Sequence, residues 1–154
     1  EKEGYRFRRV YFINNQTRDY MKICIVIANY YKEISKNLLN GSLKELKKHG
    51  YKNINIKYVA GAFEIPNIIS CNIKKFDAFI ALGCIIKGQT DHYYFISQAV
   101  TSGLMNLSIE TKKPIGFGIL TCNNLKQAQN RASIFKKNKG KEVALAIISI
   151  IKNK

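Results

Sequence analysis

His92 is one of only two histidines in this 154-residue chain. It stands in the stretch "GCIIKGQTDHYYF" (83–95), where an apolar run stops at Lys87-Gly88 and a polar turn follows. Three chemistries suit such a stretch. A phosphate loop of the pattern G-x-x-x-x-G-K-[ST] needs lysine after its second glycine; Gly83 and Gly88 have the spacing, but Gln89-Thr90 follow. A metal site needs further ligands, and His92 has Asp91 beside it but no histidine partner at helical spacing. His49 falls at the end of another helical segment, where a cation suits the dipole. A catalytic loop fits better. A helix N-terminus disfavours imidazolium, which keeps a histidine ready to take a proton near neutral pH. The free N–H groups there, with those of Gly88 to Thr90, suit an anion. The competing reading is a histidine that only caps its helix.

Two other features carry chemistry. In Gly61-Ala62-Phe63-Glu64-Ile65-Pro66, glycine permits close backbone approach and Glu64 at a strand end suits hydroxyl groups. The plainer role for Glu64 is to cap the helix that Pro66 starts. Arg131 is the lone arginine beyond residue 18 in a chain with 21 lysines, which singles it out for bidentate phosphate binding. A surface salt bridge is the alternative.

Strands and helices alternate around these features. "KICIVIA" (22–28) and "DAFIALGCII" (77–86) are continuous apolar runs, as for strands buried on both faces. "NINIKYV" (53–59) and "PIGFGILT" (114–121) complete four expected buried strands. Helices are predicted over 32–48, 65–75, 93–110, 124–135 and 140–152. In the 93–110 helix, Ile96, Ala99, Val100, Gly103, Leu104 and Leu107 make the inward face. The last helix is apolar almost all round (Val143 to Ile151), more than one sheet face covers, so it points to a subunit interface. Such an order predicts a parallel sheet covered on both faces, with ligands at the strands' carboxyl ends. Residues 1–21 are polar and aromatic, an expected N-terminal arm before one domain over 22–154.

Composition narrows the classes. No apolar run is long enough to cross a membrane, and the first residues hold no apolar core followed by small residues, so a secretory signal is not expected. The chain begins at Glu1, which leaves room for an upstream segment; a cytoplasmic address is expected, or an organelle if a leader precedes it. Cys24, Cys71, Cys84 and Cys122 lie far apart in apolar or strand-like surroundings without a CxxC, as for buried reduced thiols. The net charge of +16 accompanies 21 Lys, 15 Asn and 23 Ile, a bias that makes a chain basic everywhere. The lysines are scattered, so nucleic acid is not expected. From residue 112 onward Lys and Arg face a single acid, Glu142, which suits a small anionic ligand.

"GAFEIP" (61–66), "ALGCIIKGQTDHYY" (81–94), "PIGFGILT" (114–121), "QAQNRA" (127–132) and "NKGKEVALA" (138–146) together resemble the lumazine synthase family, in order and in register from about Lys22 to Ile151. The resemblance implies an α/β, flavodoxin-like three-layer sandwich with a four-stranded parallel sheet. It implies homopentamers, joined in some members into a hollow icosahedral 60-mer, with active sites between subunits. The implied reaction condenses 5-amino-6-(D-ribitylamino)uracil with 3,4-dihydroxy-2-butanone 4-phosphate, with no metal or organic cofactor. By position, Tyr30 matches the aromatic stacked on the pyrimidine, and Ala62, Phe63 and Glu64 the segment holding the ring and its ribityl chain. Cys84, Ile85 and Ile86 line the same pocket. Gln89 and Thr90 match the phosphate loop and His92 the proton-transfer residue. Phe117 and Arg131 match groups from the neighbouring subunit, the arginine on phosphate, and Lys139 adds positive charge. Departures are Tyr30 for phenylalanine or tryptophan, Tyr31 for asparagine, Ala60 for proline, Tyr94 for an acid and Ala99 for a glutamate. Loss of an acid near His92 bears on rate more than identity. The archaeal-type riboflavin synthase shares the fold, but the loop around His92 favours lumazine synthase. A non-catalytic shell or a basic binding module is the reading from another class.

Overall fold

The computed structural model describes residues 15–154. Four strands, β1 (Ile23–Ala28), β2 (Ile54–Val59), β3 (Ala78–Ile86) and β4 (Ile115–Cys122), pair in parallel in the order β2-β1-β3-β4. Helices α1 (Asn15–Tyr20), α2 (Lys32–Lys48), α3 (Ile65–Asn72), α4 (His92–Thr111), α5 (Leu125–Ala132) and α6 (Lys139–Lys152) stand around them, and a 3-10 turn at Ala62–Glu64 leads into α3. The expected flavodoxin-like three-layer sandwich is what the chain adopts.

The alternation of side chains along each strand makes two cores. Ile23, Ile25, Ile27, Ile80 and Leu82 face α2, α5 and α6, against Leu38, Leu46, Val143 and Ile147. Cys24, Val26, Phe79 and Ala81 face α3 and α4, against Ile65, Ile69, Val100 and Leu104. The central strands β1 and β3 are buried almost throughout, which is why they lack a polar alternate face. The expectation of four buried strands fails at β2. As an edge strand it is only partly buried, and Tyr58 stands out to solvent.

Helix α6 reaches the sheet through glycines. An added Cβ on Gly116 or Gly118 would meet Val143 of α6 at 2.9 or 3.1 Å. At its start, Gly140 lies against the backbone of Leu38 in α2, and buried Ser42 donates to the Gly140 carbonyl at 2.7 Å. Asn138 sits in the left-handed region (φ 46°) and its side chain accepts from the Lys141 N–H, which fixes the helix start.

Exposure departs from expectation on α4. Of the face assigned to α4, Val100 and Leu104 are buried and Ile96, Gly103 and Leu107 half-buried, but Ala99 is exposed. Phe95 (71%), Met105 (58%) and Ile109 (66%) on its outer side are largely exposed. In α6 the sheet and α2 cover Val143, Ala144, Ile147, Ile148 and Ile151, leaving Leu145 and Ile150 part-exposed. From the expected arm, residues 15–20 form α1, whose Arg18 Nη1 donates to the His49 carbonyl at 3.4 Å; residues 1–14 lie outside the described residues. No helix among the described residues is long and apolar enough to cross a membrane.

Because no side-chain rotation relieves a clash with the Leu38 backbone, Gly140→Ala is expected to destabilise the fold by about 1–3 kcal/mol. Calorimetry should record a fall in Tm of roughly 3–10 °C. An unchanged Tm would mean that α2 and α6 part without cost.

Candidate active site

The chain turns one way from β1 to β2 and the other way to β3, so the carboxyl ends of β1 and β3 diverge and leave a crevice. A cavity of about 610 Å³ lies there, lined by Tyr30, Tyr31, Gly61, Ala62, Phe63, Glu64, Cys84, Ile85, Ile86, His92 and Ile96. Eight of the residues singled out from sequence therefore meet in one place, brought from three separate strand ends. Tyr30 and Phe63 are mostly exposed at the rim, while Ala62 and Cys84 form buried wall. Tyr30 packs edge-on against Tyr31, ring centroids 4.9 Å apart at 72°. Burial raises the Tyr31 hydroxyl pKa, aided by Cys84 and Tyr30, so this ring stays a neutral donor in the wall.

Glu64 does cap, but not the helix expected. Its Oε2 accepts from the Gly61 N–H at 3.0 Å, closing the 3-10 turn, while α3 starts without a side-chain cap. Its other oxygen has no partner among the described residues and is available to a hydroxyl group. His92 is the first residue of α4, as the spacing predicts. Its backbone N–H faces Thr90 Oγ1 at 3.4 Å, and its ring has no hydrogen bond among the described residues. The N–H groups of Gly88, Gln89 and Thr90 are likewise unpaired among them, in an exposed turn beside the cavity. Tyr94 points away from any carboxylate role. Its ring lies 5.3 Å from Lys87 Nζ, and its hydroxyl bonds that ammonium, which raises the lysine pKa.

Phe117, Arg131 and Lys139 are not in this cavity. They line a second depression of about 290 Å³ along β4 and α6, with Thr121 and Glu142. Arg131 makes no ion pair or hydrogen bond among the described residues, so the salt-bridge alternative has no support. Lys139, by contrast, is held by both oxygens of Glu142 at 2.8 Å, so its charge is already balanced.

Sequence reasoning placed the Asn29-Tyr30-Tyr31 turn at the site but gave Tyr31 no role, and it left out Ile96 as a lining residue. It gave no role to Cys122, which the strand register places diagonally across from Cys84. The expectation that all four thiols are buried fails at Cys71, which is exposed on α3. Burial pushes Cys24 up to about 11 and Cys84 up to about 12, against an ordinary 9.0. The folded chain thus holds these protons where the unfolded chain has lost them. Their contribution to stability is complete below about pH 9 and is lost as pH rises through 11 to 12. At pH 8, iodoacetamide should label Cys71 alone in the native protein and the other three only after denaturation, read by mass mapping. Early labelling of Cys84 would contradict its raised pKa.

The family model for 6,7-dimethyl-8-ribityllumazine synthase matches residues 20–154. A protein of that name from Buchnera aphidicola subsp. Baizongia pistaciae is 48% identical over 140 residues, covering 88% of each chain. Another from Blochmanniella pennsylvanica is 41% identical over 135 residues, 84% of this chain and 85% of its own. One from Limosilactobacillus reuteri is 39% identical over 132 residues, 84% and 87%. With the family match spanning nearly all of the described residues, the chain belongs to the 6,7-dimethyl-8-ribityllumazine synthase family.

Proposed function

We propose that the chain condenses 5-amino-6-(D-ribitylamino)uracil with 3,4-dihydroxy-2-butanone 4-phosphate to 6,7-dimethyl-8-ribityllumazine, releasing phosphate and water, in riboflavin biosynthesis. The reading is carried by the cavity at the switch point, where an aromatic rim, a carboxylate and a helix-initial histidine converge. The pyrimidine stacks on Tyr30 between Phe63, Ile85 and Ile86, with backbone groups of residues 62–64 reading its edge. The spare oxygen of Glu64 takes ribityl hydroxyls. The phosphate of the second substrate sits on the unpaired N–H groups of Gly88 to Thr90, at the positive end of α4.

The chemistry is amine attack on a ketone, loss of phosphate and ring closure with loss of water, so protons move at each stage. His92, with no partner on its ring, moves them. Much of the acceleration comes from holding two reactants together and anchoring the leaving phosphate. The cavity lacks an arginine, and Arg131 lies unpaired in the separate depression with Phe117. A composite site explains both: Phe117 and Arg131 of one subunit close the cavity of the next in a homopentamer. The exposed Phe63, Phe95, Met105 and Phe117 supply apolar surface for that contact. Lys139, balanced by Glu142, contributes less to the phosphate than Arg131.

Mixed with both substrates, the purified protein should develop the absorbance and fluorescence of the lumazine. Binding of the pyrimidine without product would end the enzymatic reading. His92→Ala should lower turnover by about 100-fold or more with the oligomer intact by light scattering; unchanged turnover reduces His92 to a cap. Arg131→Ala should raise KM for the butanone phosphate roughly ten- to hundredfold and leave pyrimidine affinity nearly unchanged. Equal losses on both substrates would remove the arginine from the phosphate.

A further inference from the structure

Strands β3 and β4 bring two thiols together that the condensation does not use. Their register pairs Cys84 with Leu120 and Ile86 with Cys122, so the cysteines are diagonal neighbours. Both face the core beneath α2, α5 and α6, on one side of the sheet. Cys122 is fully buried, whereas Cys84 reaches the wall of the cavity beside Tyr31 and His92. A disulfide does not suit this frame. Diagonal neighbours on a sheet have Cα atoms about 7–8 Å apart, at or beyond the ~7 Å limit for a strain-free S–S bond. An atom between the sulphurs spans what a direct bond cannot.

We propose that Cys84 and Cys122 form a two-coordinate site for a soft monovalent d10 cation, Cu⁺ or Ag⁺, whose occupancy closes the wall of the cavity. Two S–H bonds break, two sulphur–metal bonds form, two protons leave to solvent, and the metal keeps its oxidation state. Thiolates select such ions, and two ligands satisfy them. Zinc needs about four, and among the described residues no group of three or more His, Cys, Asp and Glu gathers to supply them. Two thiolates and one monovalent cation leave a net negative charge, and the Arg131 guanidinium, which already acts on Cys122, offsets it. Because binding must expel two thiol protons, affinity rises with pH. That the metal binds follows from the strand pairing. That it stops turnover rests on the proposed place of the pyrimidine in this cavity.

The test uses Ag⁺ on full-length Cys71→Ser protein, which removes the exposed thiol, with no substrate present. Competition against a soft-metal chelator should give one tight ion per chain, tighter as pH rises, and silver-edge X-ray absorption should give two sulphur neighbours. Adding Cys122→Ala should weaken binding roughly a hundredfold and leave turnover at its starting rate, now resistant to stoichiometric Ag⁺. Equal affinity after Cys122→Ala, a single sulphur neighbour, or no tight ion overturns the site. If Cys122→Ala does not fold, Cys84→Ala gives the same binding comparison, and X-ray absorption on the Cys71→Ser protein decides without either. A tight two-sulphur ion with turnover undiminished overturns the closing of the cavity and with it the placing of the pyrimidine, while the metal site stands.

Discussion

The parallel pairing of β1 with β3, Ile23 opposite Ala78 through Ile27 opposite Leu82, is the contact on which the rest depends. Both strands are sealed on both faces, so their backbone groups have only each other and β2 and β4 as partners. A one-residue slip would exchange the side chains meant for α2 and α6 with those meant for α3 and α4. Short tethers reinforce the register. The Lys22 N–H donates to Asp77 Oδ2 at 2.7 Å just below the first rung, and Ser35 Oγ donates to the Ala28 carbonyl at 2.6 Å just at the top. The crevice that holds the candidate site exists because the chain leaves these two strands in opposite directions.

That crevice joins backbone donors and a histidine at a helix start with aromatic and aliphatic walls. Its cations stand elsewhere. Lys87 is drawn onto Tyr94, and Arg131 is carried on α5, across the sheet beside β4. One chain therefore carries, on separate surfaces, backbone donors and an arginine that are unpaired among the described residues. Beside the crevice, Tyr94 is engaged with Lys87, and the His92 ring is left without a hydrogen-bond partner among the described residues.

How much of this was legible in sequence depended on how local the determinant was. The strands showed as apolar runs, and α4 began within one residue of the start its polar turn predicted, because caps and turns are decided within a few neighbours. The cavity followed from the rule that ligands gather at the carboxyl ends of parallel strands. The outer face of α4 was misjudged because periodicity gives a helix an apolar side without giving its rotation against the sheet. The Cys84–Cys122 contact was invisible for a similar reason, since strand register lies between segments and not within them. Cys71 misled through its apolar neighbours Ile69 and Ile73, which turn inward on α3 while it turns out.

Strand β4 divides its residues between two duties. Gly116 and Gly118 face α6 and have no room for a methyl group, whereas Phe117 between them opens toward the depression that Arg131 shares. Packing against α6 and lining of the depression thus fall on alternate positions of one eight-residue segment. A lineage could retune Phe117 freely without touching the glycines, but no change at the glycines could serve as a neutral step toward a new specificity. Evolution along this strand proceeds at every second residue.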